Sequence, residues 1–319
     1  MLNRFCLLIL LLAAAGLLNA QDATPTLEPL PNFAPIVAGD FVESSVSDID
    51  LMAVPLFPTL TKTAHVIFAQ GQAAGRNSHI FAKVGDCMTA SVEYFLGPYE
   101  QPDYDLGTYT ALQDTLDYFS VSLPAADHTK ADSSKTPFGR ISIAAETGFN
   151  TTSVQDPIWS NPDVCGTDES PLTCEYRITQ AAYALIMFGT NDVMFFDADF
   201  FDDNLRMIVQ KTIEDRMVPI LYTFPARLDF PEKTILFNQI IVRIAQDYDL
   251  PLVNLYAAVD VLPDHGIDIL KPTHLSIPPT DSPGTLTEAQ LTYGYPMRNL
   301  LTLQVLDMLR TEFADAAKP

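Results

Sequence analysis

From residue 78 onward the chain alternates short apolar runs with stretches of helical period, and nothing else in it constrains the fold as much. Residues 80–84, 138–145, 183–188, 218–224 and 252–255 read as strands, short and rich in apolar side chains. Residues 89–96 read as a short helix. Residues 201–216 place Leu205, Ile208, Val209 and Ile213 on one helical face, and residues 235–247 group Ile235, Ile240, Ile241 and Ile244 in the same way. A last helix over 300–313 carries Leu301, Val305, Leu309 and Phe313 on one stripe. Strands alternating with helices imply βαβ units, hence an α/β fold with a parallel central sheet between two helical layers. Sites in such folds gather beyond the carboxyl ends of the strands.

The chemistry-bearing residues follow that placement. Phe81-Ala82-Lys83-Val84-Gly85-Asp86-Cys87-Met88-Thr89 reads as a buried strand running into a tight turn and a helix, with a thiol at the turn. A nucleophile mounted there sits beside the N–H groups that open the helix, which can hold a developing oxyanion. Gly189-Thr190-Asn191-Asp192 follows the 183–188 strand directly, and Gly148 follows the 138–145 strand. Thr273-His274-Leu275-Ser276 comes last and supplies a histidine.

In this order the blocks resemble the SGNH, or GDSL, hydrolases, a family of esterases and lipases. The likeness runs over about residues 78–312. Gly85-Asp86-Cys87 is similar to the first block, whose third residue is the nucleophile. Gly148 is the best match to the glycine whose N–H serves the oxyanion, and Gly189-Thr190-Asn191-Asp192 matches the block whose Asn donates to it. His274 matches the general base. The resemblance implies a flavodoxin-like three-layer α/β/α sandwich and hydrolysis of a carboxylic ester, of a lipid or an acylated carbohydrate. Cys87 would be the nucleophile, and Cys87, Gly148 and Asn191 would form the oxyanion hole. Two positions depart from the family: a cysteine replaces its serine, and Lys271 stands three before His274 where the family has Asp. Asp268, with Asp264 as a second candidate, is the nearby acid to orient His274. A thiolate–imidazolium pair depends less on a third, carboxylate member than a serine does, so the two departures are mutually consistent. They are equally what drift after loss of catalysis leaves. The alternative reading is therefore a degenerate protein of this fold that binds a glycan or acyl ligand without turnover.

The remaining features bound the setting. Residues 1–20 read as a secretory signal, with Arg4 before an apolar run and Leu18-Asn19-Ala20 as the cleavage site, so the mature protein is expected to be secreted or extracytoplasmic. Residues 21–60, rich in Pro, Thr and Asp, read as a linker that becomes ordered toward its end, and residues 61–319 as the hydrolase-like domain. Cys165 and Cys174 lie nine apart in a polar loop and suggest a disulfide. Cys87 is then left unpaired, unless it bonds one of those two. A net charge of −22 disfavours nucleic acid as a partner. Asp197, Asp199, Asp202 and Asp203 read as a solvated helix start in preference to a calcium loop. The sequence has no His-x-x-x-His, Cys-x-x-Cys or glycine-rich phosphate loop, so no metal or cofactor is expected. His65, His79, His128 and His265 have no motif around them. Phe195, Phe196, Phe200 and Phe201 follow the Asn191 block and read as packing residues or as the lining of a substrate pocket.

Overall fold

Helix α1 (Lys62–Ala73) leads into strand β1 (Asn77–Gly85), whose buried half runs straight into the one-turn helix α2 (Cys87–Ala90). Helix α3 (Gln113–Phe119) and helix α4 (Pro171–Thr179) follow, then β2 (Ala181–Met187), which is buried at every position. The chain continues through α5 (Asp192–Phe195), α6 (Ala198–Glu214), β3 (Val218–Tyr222), α7 (Pro231–Asp247), β4 (Leu252–Val253) and α8 (Leu255–Asp260). A small antiparallel hairpin, β5 (Ile267–Asp268) and β6 (Lys271–Leu275), precedes the long helix α9 (Gly294–Ala314). The computed structural model describes residues 27–101, 104–123, 134–280 and 282–314; the signal expected at 1–20 and His128 lie outside them.

Strands β1 to β4 form one parallel sheet in the order β1-β2-β3-β4. The stretch 138–145, expected as a strand, makes no continuous ladder. It runs beside the outer edge of β1, joined by one parallel bridge between Ala145 and Gly85 and by the bond from the Gly85 N–H to the Ala144 carbonyl. The Ser142 hydroxyl, not a backbone amide, donates to the Lys83 carbonyl at 2.5 Å. A side chain has replaced a rung there, and regular pairing stops. Counting that stretch second, the spatial order is 2-1-3-4-5, the doubly wound order of flavodoxin-like sheets.

Helices cover both faces, giving three layers. On one side Tyr183 of β2 lies among Phe68 of α1, Phe119 of α3 and Phe313 of α9, with ring centroids 5.8–6.2 Å apart. Tyr222 of β3 donates to Thr302 of α9 on the same side. On the other side Phe201 of α6 stacks on Phe237 of α7 at 4.3 Å, and Tyr176 of α4 meets Thr212 of α6 at 2.7 Å. These contacts occupy the apolar stripes that the sequence periods define, which is why those helices form where the pattern places them.

Residues 27–60 lie along the outside of the domain. Asn254 donates to the Leu51 and Val54 carbonyls, Gln239 to Ile49, and Arg243 to Ser45, while Val46 and Leu51 are buried. Cys165 and Cys174 form a disulfide that fastens the polar loop to α4. Among the described residues no helix is long and apolar enough to cross a membrane.

Candidate active site

Three adjacent chain segments leave the sheet at the same edge. Ala145, Gly85 and Met187 stand abreast across it. Gly148 comes three residues after the first, Cys87 two after the second and Asn191 four after the third. Parallel neighbours lie about 4.8 Å apart, so the pairing itself converges these residues beyond the carboxyl ends of β1 and β2.

Cys87 occupies the first position of α2. Asp86 caps that helix: its backbone is extended and its Oδ1 accepts the Met88 N–H at 3.0 Å. Gly85 cannot be larger, because a Cβ there would lie 2.5 Å from both the Met187 carbonyl and the Thr89 hydroxyl. Cys87 is only 4% exposed and is a free thiol, not joined to Cys165 or Cys174. Its Sγ faces the Thr273 carbonyl at 3.9 Å, so the hairpin closes over the thiol. Burial pushes the thiol up to about 12, and the neighbouring Asp86 carboxylate pushes the same way; the Met88 and Cys87 amides and the Arg298 guanidinium oppose them without prevailing.

His274 follows the carbonyl that touches the thiol. Its Nδ1 pairs with the Thr273 hydroxyl at 3.0 Å. Among the described residues no carboxylate lies within hydrogen-bonding or ion-pairing reach of the ring. Asp268 instead accepts the Leu270 N–H at 2.9 Å and acts on His274 only through space. Asp264 sits in the turn before β5 with a left-handed backbone. Burial, then the Lys271 charge, lowers the His274 pKa below the ordinary histidine value. Thiol and imidazole are therefore both held in their neutral forms, as Cys–SH and His.

Asn191 is buried, and its Nδ2 donates to the Phe149 carbonyl at 2.8 Å. The next residue, Asp192, is wholly enclosed. It accepts the Thr151 N–H at 2.8 Å, the Thr151 hydroxyl at 2.6 Å and the Gly189 N–H at 3.0 Å. Asn191 and Asp192 together bind the 149–151 loop to the end of β2, which fixes Gly148 beside them. Gly148 has φ +87° and open space where a side chain would stand.

Arg298 of α9 belongs to this site, and no local pattern in the sequence announces it. It is buried, donating to the Met88 carbonyl at 2.8 Å and to the Thr89 hydroxyl at 2.9 Å, with its guanidinium 3.7 Å above the Phe95 ring. It holds the α2 turn from below. Its charge also tempers the buried Asp86, whose pKa burial still raises to about 6. Thr273 was equally silent as a ring partner: only the hairpin brings its hydroxyl to Nδ1.

The other described histidines are engaged elsewhere: His65 with Glu312, His79 with the Tyr118 carbonyl and His265 with Asp260. Asp197 to Asp203 open α6, where Asp202 pairs with Arg206 at 2.7 Å. Among the described residues the one cluster with metal-ligand spacing is Cys165, Glu169 and Cys174, whose sulfurs are bonded to each other. A cavity of about 590 Å³ lies away from Cys87, between the 33–45 segment and helices α6 and α7.

No protein-family model matches the sequence, and no curated protein matches it. Solved structures do. One is a psychrotrophic esterase from Pseudoalteromonas sp., 13% identical over 72% of this chain and 98% of that one, with a TM-score of 0.42. Another is a lipase/acylhydrolase from Enterococcus faecalis, 17% identical over 75% and 97%, with a TM-score of 0.43. A third is an acetylxylan esterase from Geobacillus stearothermophilus, 14% identical over 72% and 95%, with a TM-score of 0.43.

Proposed function

We propose that this protein is an exported hydrolase of carboxylic esters that uses Cys87 as nucleophile and His274 as base. The observation that carries the reading is the apposition of the thiol to the Thr273 carbonyl, which brings the His274 loop onto the head of α2. With Nδ1 engaged by the Thr273 hydroxyl, Nε2 is the nitrogen left to take the thiol proton. The sulfur then attacks the ester carbonyl carbon, and the oxyanion turns toward the Cys87 N–H, the Gly148 N–H and Asn191. Collapse expels the alcohol, protonated by the imidazolium, and leaves a thioester. Water, deprotonated by the same ring, attacks the thioester, releasing the carboxylic acid and restoring the thiol. Asn191 turns from the Phe149 carbonyl or shares its second N–H to take part.

A second reading is favoured by a specific observation. The thiol is pushed to about 12 and among the described residues no carboxylate orients His274, as expected of a fold that keeps its site as a binding surface for an acyl or glycan ligand. Turnover of p-nitrophenyl acetate, butyrate and octanoate by the wild-type protein and by Cys87→Ala separates the two. The hydrolase reading expects wild-type turnover that falls at least about a hundredfold in Cys87→Ala. Equal rates in the two proteins would refute it.

A further inference from the structure

Six large apolar side chains on segments that adjoin the candidate site residues stand in solvent instead of in the core. On one flank, the β5–β6 hairpin pairs Asp268 with Lys271 and leaves Ile269 and Leu270 as its tip. They are 70% and 86% exposed. A turn of this kind ordinarily carries Gly, Asn or Asp; here two branched apolar residues are held outward by an ordered turn, with the Leu270 N–H bound to Asp268. Leu270 is three residues from Thr273, whose carbonyl meets the thiol, so the tip lies within about 10 Å along the strand of the site.

On the other flank, Phe195 is 65% exposed and one helical turn, about 6 Å of rise, beyond Asn191. Leu228 is exposed in the next loop, which Arg227 and Lys233 tie to the same segment through the Thr190, Val193 and Phe196 carbonyls. Ile158 and Trp159 are exposed beside Phe149, the residue whose carbonyl Asn191 binds; the Trp159 and Phe149 rings are 6.5 Å apart. Scattered single apolar residues on a surface need no explanation, but a group carried on the segments that hold the candidate site residues does.

We propose that this rim is an interfacial docking face that seats the protein on a neutral or zwitterionic lipid surface, with the turn that carries Cys87 on the lipid side. The chemistry of the rim selects that occupant. Four of its six members, Ile158, Leu228, Ile269 and Leu270, offer neither hydrogen bonds nor the flat faces that stack on sugars, and branched apolar tips together with the aromatic Phe195 and Trp159 are of the kind that insert among acyl chains. A net charge of −22 opposes adsorption to anionic lipid, which restricts the surface to uncharged or zwitterionic headgroups. The inference deepens the hydrolase reading by giving its ester as one presented at a lipid–water interface.

Trp159 is the sole tryptophan of the chain, so its emission reports this face alone. The experiment adds phosphatidylcholine vesicles to the Cys87→Ala protein, which carries no nucleophile and therefore tests docking apart from catalysis. Emission shifts to the blue, and the protein floats with the vesicles. Ile269→Asp/Leu270→Asp, with an unchanged emission spectrum in buffer as proof of folding, weakens flotation at least about tenfold. Replacing a third of the lipid with phosphatidylserine weakens it as well. Three results would overturn the proposal: no blue shift with vesicles, hairpin variants that float like the parent, or a shift produced by a soluble acetylated xylooligosaccharide but not by lipid. Loss of ester turnover with docking intact would sink the hydrolase reading alone.

Discussion

The acidity of Cys87 decides how this site can work, and its sign follows from the surroundings. Burial and the Asp86 charge raise the thiol from 9.0 to about 12. Each unit is a factor of ten in thiolate population, so at pH 7 the folded protein holds about a thousandfold less thiolate than an ordinary cysteine. The assay is the second-order rate of iodoacetamide alkylation, followed by mass at Cys87 from pH 5 to 9.5, in the folded protein and in urea. The folded rate should lie at least a thousandfold below the unfolded one at pH 7, and it should rise tenfold per pH unit without levelling. Asp86→Asn keeps the acceptor that caps α2 and removes a negative charge beside the sulfur. It should speed alkylation at pH 8. Below about pH 6 the gain should vanish, because the native Asp86, raised to about 6, is already protonated there. A folded rate at pH 7 equal to or above the unfolded rate would refute the reasoning, since it would mean a thiolate held by His274 against the cost of burial.

Two further outcomes test the framework around the site. Gly189 has φ +126° and lies against Phe224, whose ring atoms come within 2.2 Å of any added Cβ; Gly189→Ala should cost roughly 3 kcal/mol or more in urea unfolding and displace Asn191. Tyr183 buries its hydroxyl among aromatic rings with no hydrogen-bond partner among the described residues, so Tyr183→Phe should leave stability unchanged or raise it by about 1 kcal/mol, read as a higher urea midpoint; a clear loss would contradict the packing.

The sequence alone determined the parallel α/β plan. Strand and helix periods are local properties, and the runs at 183–188, 201–216 and 235–247 carry them without ambiguity, so β2, α6 and α7 lie where the pattern puts them. It also determined which edge of the sheet would gather Cys87, Gly148 and Asn191, because a residue just past the end of a parallel strand can project nowhere else. It misread the stretch 138–145, whose alternation is that of a strand. Whether an edge pairs is settled by the neighbour, and there the Ser142 hydroxyl took the Lys83 carbonyl that a ladder needs. It named Asp268 as the acid for His274 from proximity along the chain, whereas the hairpin turns that carboxylate to its own tip and gives the ring the Thr273 hydroxyl. Only the tertiary structure brought in Arg298, more than two hundred residues from the turn it supports, and only it set the protonation of the site. The reason is the same in each case. Backbone period and turn chemistry are written within a few neighbouring residues, but burial and charge are sums over whatever the fold brings close, and for Cys87 those sums favour the neutral thiol.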